Sequence, residues 1–235
     1  MIKLYVFGYV GNLGTKVLIE EKQDELVKQF NQEFITHIKN QIEESLSKDG
    51  FNPSLIMSSC RTEFHESSVG ADIIRPQCRG EVNECRGEHC EPTVIDYEQI
   101  GKGGILAALW KLCDRNKWGL KYSLRKIPIL QGTIEIANYF DLNPYRLLTD
   151  KAFIIACSDE CDCRGRHSVV LCRGEACEPK DCTGEFHEPL CEIGDITNEK
   201  KRVRIDGEAE AFLTKDYKDE IDKVIPNYIK KMGLV

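Results

Sequence analysis

Hydrophobic and polar positions alternate at the start of the chain, where Leu4-Tyr-Val-Phe7 follows the two-residue period of a β-strand. Apolar residues then recur every three or four positions, the spacing of one helical face, at Leu26, Val27, Phe30, Phe34, Ile38, Ile42 and Leu46. Gly50 follows as a helix stop. The pattern predicts a strand and then a long amphipathic helix.

Regular patterns return at Val94 and continue to the end of the chain. Residues 101–104 open a predicted helix, residues 119–124 form a predicted strand and residues 134–140 a second helix. Residues 152–156 are continuously apolar, which indicates a strand buried on both faces. A short strand that ends at Gly207 and a helix kinked near Pro226 complete the prediction.

Two segments lack any such period. Residues 60–92 and 157–192 are dominated by Cys, Arg, Gly, Glu and His, a composition that cannot bury an ordinary apolar core. We therefore expect one α/β domain made of residues 1–59, 93–156 and 193–235, interrupted by two cysteine-rich insertions.

Several motifs of the regular part resemble a known family: Leu13-Gly-Thr-Lys-Val-Leu-Ile19, Gly103-Gly-Ile-Leu-Ala-Ala-Leu-Trp110, Ile134-Glu-Ile-Ala-Asn-Tyr-Phe-Asp-Leu-Asn-Pro-Tyr145, Phe153-Ile-Ile-Ala156 and Ile193-Gly-Asp-Ile-Thr197. They are similar to the C-terminal domain of aminoimidazole ribonucleotide (AIR) synthetase-related proteins, and in particular to the hydrogenase-maturation HypE type. The resemblance covers most of the chain outside the insertions. It implies a layered α/β fold around a mixed sheet.

The same resemblance bears on ATP. Members of the family bind ATP largely through an N-terminal domain, and this chain starts where the C-terminal domain would begin, so ATP binding is expected only with a separate partner domain. The sequence also departs from the family in three places. Gln99-Ile100 precedes the glycine turn where the family has Asp-x-Thr, Leu130 stands where an Arg is expected before the helix, and the cysteine near the C-terminus of HypE-type proteins is absent.

The glycine turn is a candidate phosphate site. Gly101, Gly103 and Gly104 stand at a predicted helix start, where free backbone N–H groups and the helix dipole favour an anion. The competing interpretation is that these glycines only allow a tight turn from strand to helix.

The insertions contain a repeated octapeptide with the consensus C-[RT]-[GT]-E-x-[CH]-E-P. Four copies carry a second Cys or His five residues after the first Cys, as Cys60/His65, Cys85/Cys90, Cys172/Cys177 and Cys182/His187. A copy at Cys78 has Asn83 in place of the second Cys or His, and one at Cys163 matches the consensus over only its first three residues. Cys and His exchange at the sixth position, and zinc accepts both as ligands.

These pairs predict one Cys₃His zinc site in each insertion. The first would use Cys60, His65, Cys85 and Cys90, and the second Cys172, Cys177, Cys182 and His187. Metal binding can contribute on the order of 10 kcal/mol to segments without an apolar core. Because the ligand spacing is longer than in usual zinc knuckles, iron–sulfur ligation remains an alternative, with Cys78, Cys161, Cys163 and Cys191 as further thiolates.

Other interpretations of the cysteines stay open. Twelve cysteines are compatible with disulfides, although a reducing compartment favours metal or redox chemistry. Cys113 and Cys157 lie on apolar helix and strand patterns, so we interpret them as small buried hydrophobes. His37, His167 and the repeated glutamates are interpreted as ordinary solvated or packed residues.

Charge and composition narrow the partners. A net charge of −7 and a pI near 5.4 argue against nucleic acid and anionic membranes, which need clustered Lys and Arg. No signal-like segment follows Met1, so we expect a cytoplasmic protein. The sequence favours a metal-binding maturation or assembly factor whose partner is a client metalloenzyme or an N-terminal-type domain. The alternative is half of an ATP-dependent enzyme; catalysis and homodimer formation stay open.

Overall fold

The protein is described by a computed structural model of residues 1–47, 93–158, 189–207, 209–215 and 218–233. Its strands are β1 (Ile2–Phe7), β2 (Thr93–Ile100), β3 (Gly119–Tyr122), β4 (Ala152–Ser158), β5 (Leu190–Thr197), β6 (Arg202–Asp206) and β7 (Ala209–Phe212). They form one sheet in the order β2-β4-β1-β5-β3-β6-β7. Strands β3 and β6 pair in parallel and the other neighbours are antiparallel, which confirms the predicted mixed sheet.

Helices separate and follow the strands along the chain. They are α1 (Asn12–Glu21), α2 (Gln23–Leu26), α3 (Gln32–Ser47), α4 (Gly104–Asn116), α5 (Gln131–Tyr139), α6 (Ile221–Val224) and α7 (Tyr228–Lys231). Two 3₁₀ turns, Leu124–Lys126 and Pro144–Arg146, lie on either side of α5. None of the helices within the described ranges is long and apolar enough to cross a membrane.

Two apolar cores hold these layers together. The first lies between the sheet and α4, where Leu4, Val6 and Ile154 of the strands meet Ile105 and Leu109 of the helix. The second lies among the other helices, and it includes Leu18, Ile38, Ile42, Ile136, Leu147 and Ile221. The alternation predicted for β1 follows from this arrangement, since Leu4 and Val6 are fully buried and the alternate residues Lys3, Tyr5 and Phe7 are partly exposed.

The long helix predicted over residues 26–46 is two helices in the structure. Helix α2 ends at Leu26 and α3 begins at Gln32. The Asn31 side chain accepts a hydrogen bond from the Phe34 N–H at 2.7 Å, which starts the new helix as an N-cap does. The apolar period continues across the break because Phe30 and Phe34 both pack on the second core.

Other element boundaries also move. The strand predicted over residues 119–124 ends at Tyr122, and Leu124 lies in a 3₁₀ turn. The buried strand at 152–156 is confirmed but runs on through Cys157 and Ser158. Strand β5 begins at Leu190. Five residues assigned from sequence to the second insertion, 157–158 and 190–192, are therefore part of the sheet.

Candidate functional site

The glycine turn between β2 and α4 is held by hydrogen bonds inside the protein. The Gly103 N–H donates to the Asp219 carboxylate (Oδ2) at 2.8 Å, and the Gly104 N–H donates to the Gly101 carbonyl oxygen at 3.0 Å. Gly103 and Gly104 have φ angles of 77° and 64°, in the region that favours glycine. The two glycines thus allow the conformation of the turn, and the Asp219 carboxylate caps the Gly103 N–H at the helix start.

Asp219 is the buried group that organises this site. Its side chain also accepts hydrogen bonds from the N–H groups of Leu148 at 3.3 Å and Ile221 at 3.1 Å. Burial raises the pKa of Asp219, and the three N–H donors, beginning with Gly103, oppose that rise. A carboxylate therefore occupies the position where a phosphate would meet the Gly103 N–H.

Gly104 is required by close packing as well as by its φ angle. A Cβ atom at this position would lie 2.4 Å from the Tyr145 carbonyl oxygen and 2.8 Å from the Arg146 Cα. Gly101 differs, because a Cβ there would meet nothing within 4 Å. Phosphate binding by Gly101, Gly103 and Gly104 stays a prediction, and an anion at Gly103 would have to displace Asp219.

Glu220 extends the buried acidic site. Its carboxylate is 2% exposed and pairs with the Arg146 guanidinium at 3.2 Å and with the Lys223 ammonium. The Arg146 backbone N–H donates to the Asn143 carbonyl oxygen at 3.0 Å, within the 3₁₀ turn. Asp219 and Glu220 together fasten the C-terminal helices to the segment 143–148.

A second glycine loop, between β1 and α1, was not identified from the sequence. Gly8, Gly11 and Gly14 are spaced three residues apart after a strand, which could have signalled a phosphate cradle. Their N–H groups donate to the Pro189 carbonyl oxygen, the Thr149 hydroxyl and the Leu148 carbonyl oxygen at 3.0, 2.8 and 2.7 Å. These N–H groups are therefore used in hydrogen bonds within the protein. Both glycine loops contact the segment 144–149.

All eight predicted metal ligands lie outside the described residues: Cys60, His65, Cys85, Cys90, Cys172, Cys177, Cys182 and His187. Within the part of the chain that the structure does describe, no group of three or more His, Cys, Asp or Glu side chains could hold a metal ion. The zinc and iron–sulfur sites therefore stay predictions.

The three cysteines of the described ranges are not disulfide-bonded. Cys113 is fully buried on α4 and Cys157 is buried in β4, as the apolar patterns around them predict. Burial raises the pKa of the Cys113 thiol to about 11. Burial also raises the pKa of half-buried Cys191.

The two cysteine-rich segments are attached to the sheet at neighbouring positions. Thr93, which follows the first segment, is the register partner of Ser158, which precedes the second. The second segment ends at the other end of the strands, because Leu190 is opposite Phe7 whereas Ser158 is opposite Ile2. Residues 159–188 therefore connect opposite ends of β4 and β5, which run parallel on either side of β1.

Comparison with known proteins finds likeness in structure alone, since no family model and no curated protein matches the chain. E. coli HypE, a hydrogenase maturation protein, has a TM-score of 0.53 and 12% identity over 93% of this chain and 51% of its own. HypE in a HypE–HypF complex has a TM-score of 0.51 and 11% identity, with coverages of 92% and 53%. HypE in complex with ATP has a TM-score of 0.51 and 10% identity, with coverages of 94% and 52%.

The chain spans about half the length of these HypE proteins. At 10–12% identity the likeness concerns the fold and not the activity. The order of the elements and the mixed seven-stranded sheet agree with it. The described part of the chain therefore has the AIR synthetase-related fold that HypE has, as the sequence motifs predicted.

Proposed function

We propose that the protein binds metal through its two cysteine-rich segments and uses the AIR synthetase-like domain as their scaffold. The observation that carries the proposal is the exchange of Cys and His at the sixth position of the octapeptide. Two residues with unlike shapes but shared affinity for zinc replace one another there. The proposed ligand sets are Cys60, His65, Cys85 and Cys90 for one zinc ion and Cys172, Cys177, Cys182 and His187 for the other.

The distribution of charge supports a cationic ligand. Residues 48–92 and 159–188 together hold sixteen acidic and nine basic residues, whereas the rest of the chain holds twenty-three of each. The whole net charge of −7 thus belongs to the two segments that carry the repeat. Acidic surroundings raise the local concentration of a cation and favour thiolates bound to it over free thiolates.

The attachment of the segments supports a shared task. Cys90 precedes Thr93 by three residues and Cys161 follows Ser158 by three residues, and Thr93 and Ser158 are paired in the sheet. Three residues span at most about 10 Å. Cys90 and Cys161 are therefore each tethered within three residues of the same end of the sheet, which suits metal storage or transfer to a client protein.

A role in maturation or assembly of another metalloprotein follows as the finer proposal. Its support is the fold shared with HypE, which is described as a hydrogenase maturation protein and has been solved in a complex with HypF. A protein partner is expected on the same grounds. As the net charge of the sequence indicates, this proposal includes neither nucleic acid nor a membrane as a partner.

Elemental analysis of anaerobically purified full-length protein tests the metal sites. We expect two zinc ions per chain, or visible absorption and iron if clusters form instead. If the metal is zinc, the double variant Cys85→Ser/Cys90→Ser is expected to lose one ion, and the matched variant Cys191→Ser, which lies outside both proposed zinc sets, to lose none. Less than one zinc or iron per chain would sink the proposal. Twelve reactive thiols after denaturation with a chelator would exclude disulfides.

The second candidate is half of an ATP-dependent enzyme, completed by a separate N-terminal-type domain. The observation that favours it is the likeness to HypE in complex with ATP, about half of whose length this chain spans. The Asp219 carboxylate at the Gly103 N–H weighs against a phosphate in that turn. Nucleotide binding by the isolated chain, or its co-purification with such a domain, would support this candidate, and absence of both would leave it without support.

A further inference from the structure

A group of aromatic side chains lies at the surface of the helical layer. We call it the aromatic patch and define it as the rings of Phe30, Phe34, Tyr139 and Phe140 together with Val27, which lies one helical turn before Phe30. Phe30 stacks on Phe34 with ring centroids 5.2 Å apart and meets the edge of Tyr139 at 5.8 Å. Tyr139 meets Phe140 at 4.9 Å. The rings form one continuous surface built from the α2–α3 connection and the end of α5.

The aromatic patch is rigid and accessible. Phe30, Phe34 and Phe140 pack on the second core, so their inner sides are fixed. The Tyr139 hydroxyl donates to the Glu25 carbonyl oxygen at 3.4 Å, which links α5 to α2. Val27 is 43% exposed and Tyr139 is 40% exposed. Large apolar groups gathered in this way at a surface often mark an interaction site, and rigid aromatic rings are favoured contact residues.

The chain segments that contain the patch are acidic in sequence, since residues 20–34 and 131–141 hold seven acidic and two basic residues. One of the two bases, Lys22, is paired with Glu25 at 2.8 Å. This local charge of −5 belongs to a scaffold that is neutral as a whole outside the cysteine-rich segments. A partner would therefore be attracted by complementary positive charge.

We propose that the aromatic patch docks a segment of another protein that carries Lys or Arg beside aliphatic side chains, as in a basic amphipathic helix. Such a segment places its apolar side on the rings and its cations toward Asp24, Glu33 and Asp141. A second copy of this chain is disfavoured, because a two-fold contact through the patch would bring two acidic rims together. The chain's own cysteine-rich segments are disfavoured too, since their charges are −3 and −4.

Fluorescence anisotropy with a labelled 15-residue amphipathic peptide of Leu and Lys, added to the full-length protein, tests this inference. A peptide of Leu and Glu with the same pattern is the matched control and is expected not to bind. The double variant Val27→Ser/Tyr139→Ser is expected to weaken binding by about tenfold, as the loss of central contacts does. The control variant Phe212→Ser removes a side chain that is 71% exposed at the far edge of the sheet, and its affinity should stay within about twofold.

Charge provides a second, independent variant if the first pair unfolds. Asp24→Lys/Glu33→Lys is expected to weaken binding by about tenfold at low salt and less at high salt, because screening reduces the wild-type attraction. Glu199→Lys/Glu210→Lys, on the opposite edge, is the control for net charge. No binding by the wild type, or equal loss in patch and control variants, would overturn the inference. A wild-type dimer that dissociates in Val27→Ser/Tyr139→Ser would assign the patch to a second copy and overturn it as well.

Discussion

Asp219 shows how one buried side chain can define a turn that is distant in sequence. It lies 116 residues after Gly103 and yet accepts that residue's N–H, together with those of Leu148 and Ile221. Three backbone donors from three segments converge on two carboxylate oxygens. Each donor would otherwise be buried without a partner, which costs about 1–3 kcal/mol per group.

The substitution Asp219→Asn is expected to destabilise the protein by about 1–3 kcal/mol. An amide has one acceptor oxygen, so whichever way it turns, its NH₂ group faces at least one of the three backbone N–H donors. Urea unfolding followed by circular dichroism measures the loss. Glu199→Gln, at a side chain that is 72% exposed, is the matched control and should change stability by less than about 0.5 kcal/mol. An unchanged midpoint for Asp219→Asn would show that these hydrogen bonds do not hold the turn.

The stability difference between the wild type and Asp219→Asn should depend on pH. The reason is the pKa of Asp219, which burial raises in the folded state. The folded protein therefore holds this proton more tightly than the unfolded chain, whose Asp pKa is about 3.9. As pH rises from that value through the folded pKa, the wild type loses stability that Asp219→Asn does not lose. The wild-type advantage should therefore shrink as pH rises above about 4, because the cost of burying the ionised carboxylate exceeds what its three N–H donors return. An advantage that grew with pH would contradict the raised pKa.

The turn at 101–104 illustrates how one sequence pattern serves two purposes. Free N–H groups at a helix start predict an anion site, and positive φ angles predict a structural turn. In the structure, Gly103 is capped by Asp219, and Gly104 packs against the backbone of Tyr145 and Arg146. The positive φ angle thus explains Gly103, the φ angle and close packing explain Gly104, and Gly101 is left without a steric reason to be glycine.

Gly104→Ala and Gly101→Ala make a matched pair for this element. Alanine at 104 would combine a left-handed φ angle of 64° with a Cβ 2.4 Å from the Tyr145 carbonyl oxygen, and should cost roughly 2–5 kcal/mol. Alanine at 101 meets nothing within 4 Å and should change stability by less than about 0.5 kcal/mol. Thermal unfolding of the two variants measures the difference. Equal melting temperatures would contradict the close approach at Gly104.

Elements with an undisturbed period were predictable from sequence. Helix α4 and strand β4 bury long apolar runs, so their patterns are visible in the sequence. Strand β2 was not predicted, because the side that faces α4 carries Asp96 and Glu98, which pair with Arg115 at 2.9 and 2.7 Å. Here an ion-pair network replaces the apolar side of a strand, and period-based reasoning has no signal to find.

The candidate site was less predictable than the fold. The glycines at 101–104 identified a real turn, but the group that caps it was hidden in an acidic stretch that reads as solvated surface. The short strand β7 was also missed, since its four residues include only one large apolar side chain, Phe212. In both cases the missing information is a long-range contact, which no local pattern contains.

At the scale of the whole molecule, we expect the fold to be separable from the cysteine-rich segments. The described part of the chain contains two apolar cores of its own. The second segment also connects the parallel strands β4 and β5, whose joined ends lie at opposite ends of the sheet. The path along a six-residue strand is about 20 Å, and parallel strands need a connection of about a dozen residues or more.

Replacement of residues 159–188 by a Gly/Ser linker of about 20 residues should therefore preserve the fold, because such a linker meets the crossover requirement. A linker of three residues leaves four Cα–Cα steps between Ser158 and Pro189, which span at most about 14 Å. It should therefore prevent β5 from pairing with β1. Near-ultraviolet circular dichroism and the cooperativity of thermal unfolding report the result, with Trp110 and Trp118 at the first core as local signals. If the long-linker protein also failed to fold, the segment would be part of the core. If it folds, the protein without this segment should bind one metal ion fewer. That result would show that the domain folds independently of the proposed metal site in residues 159–188.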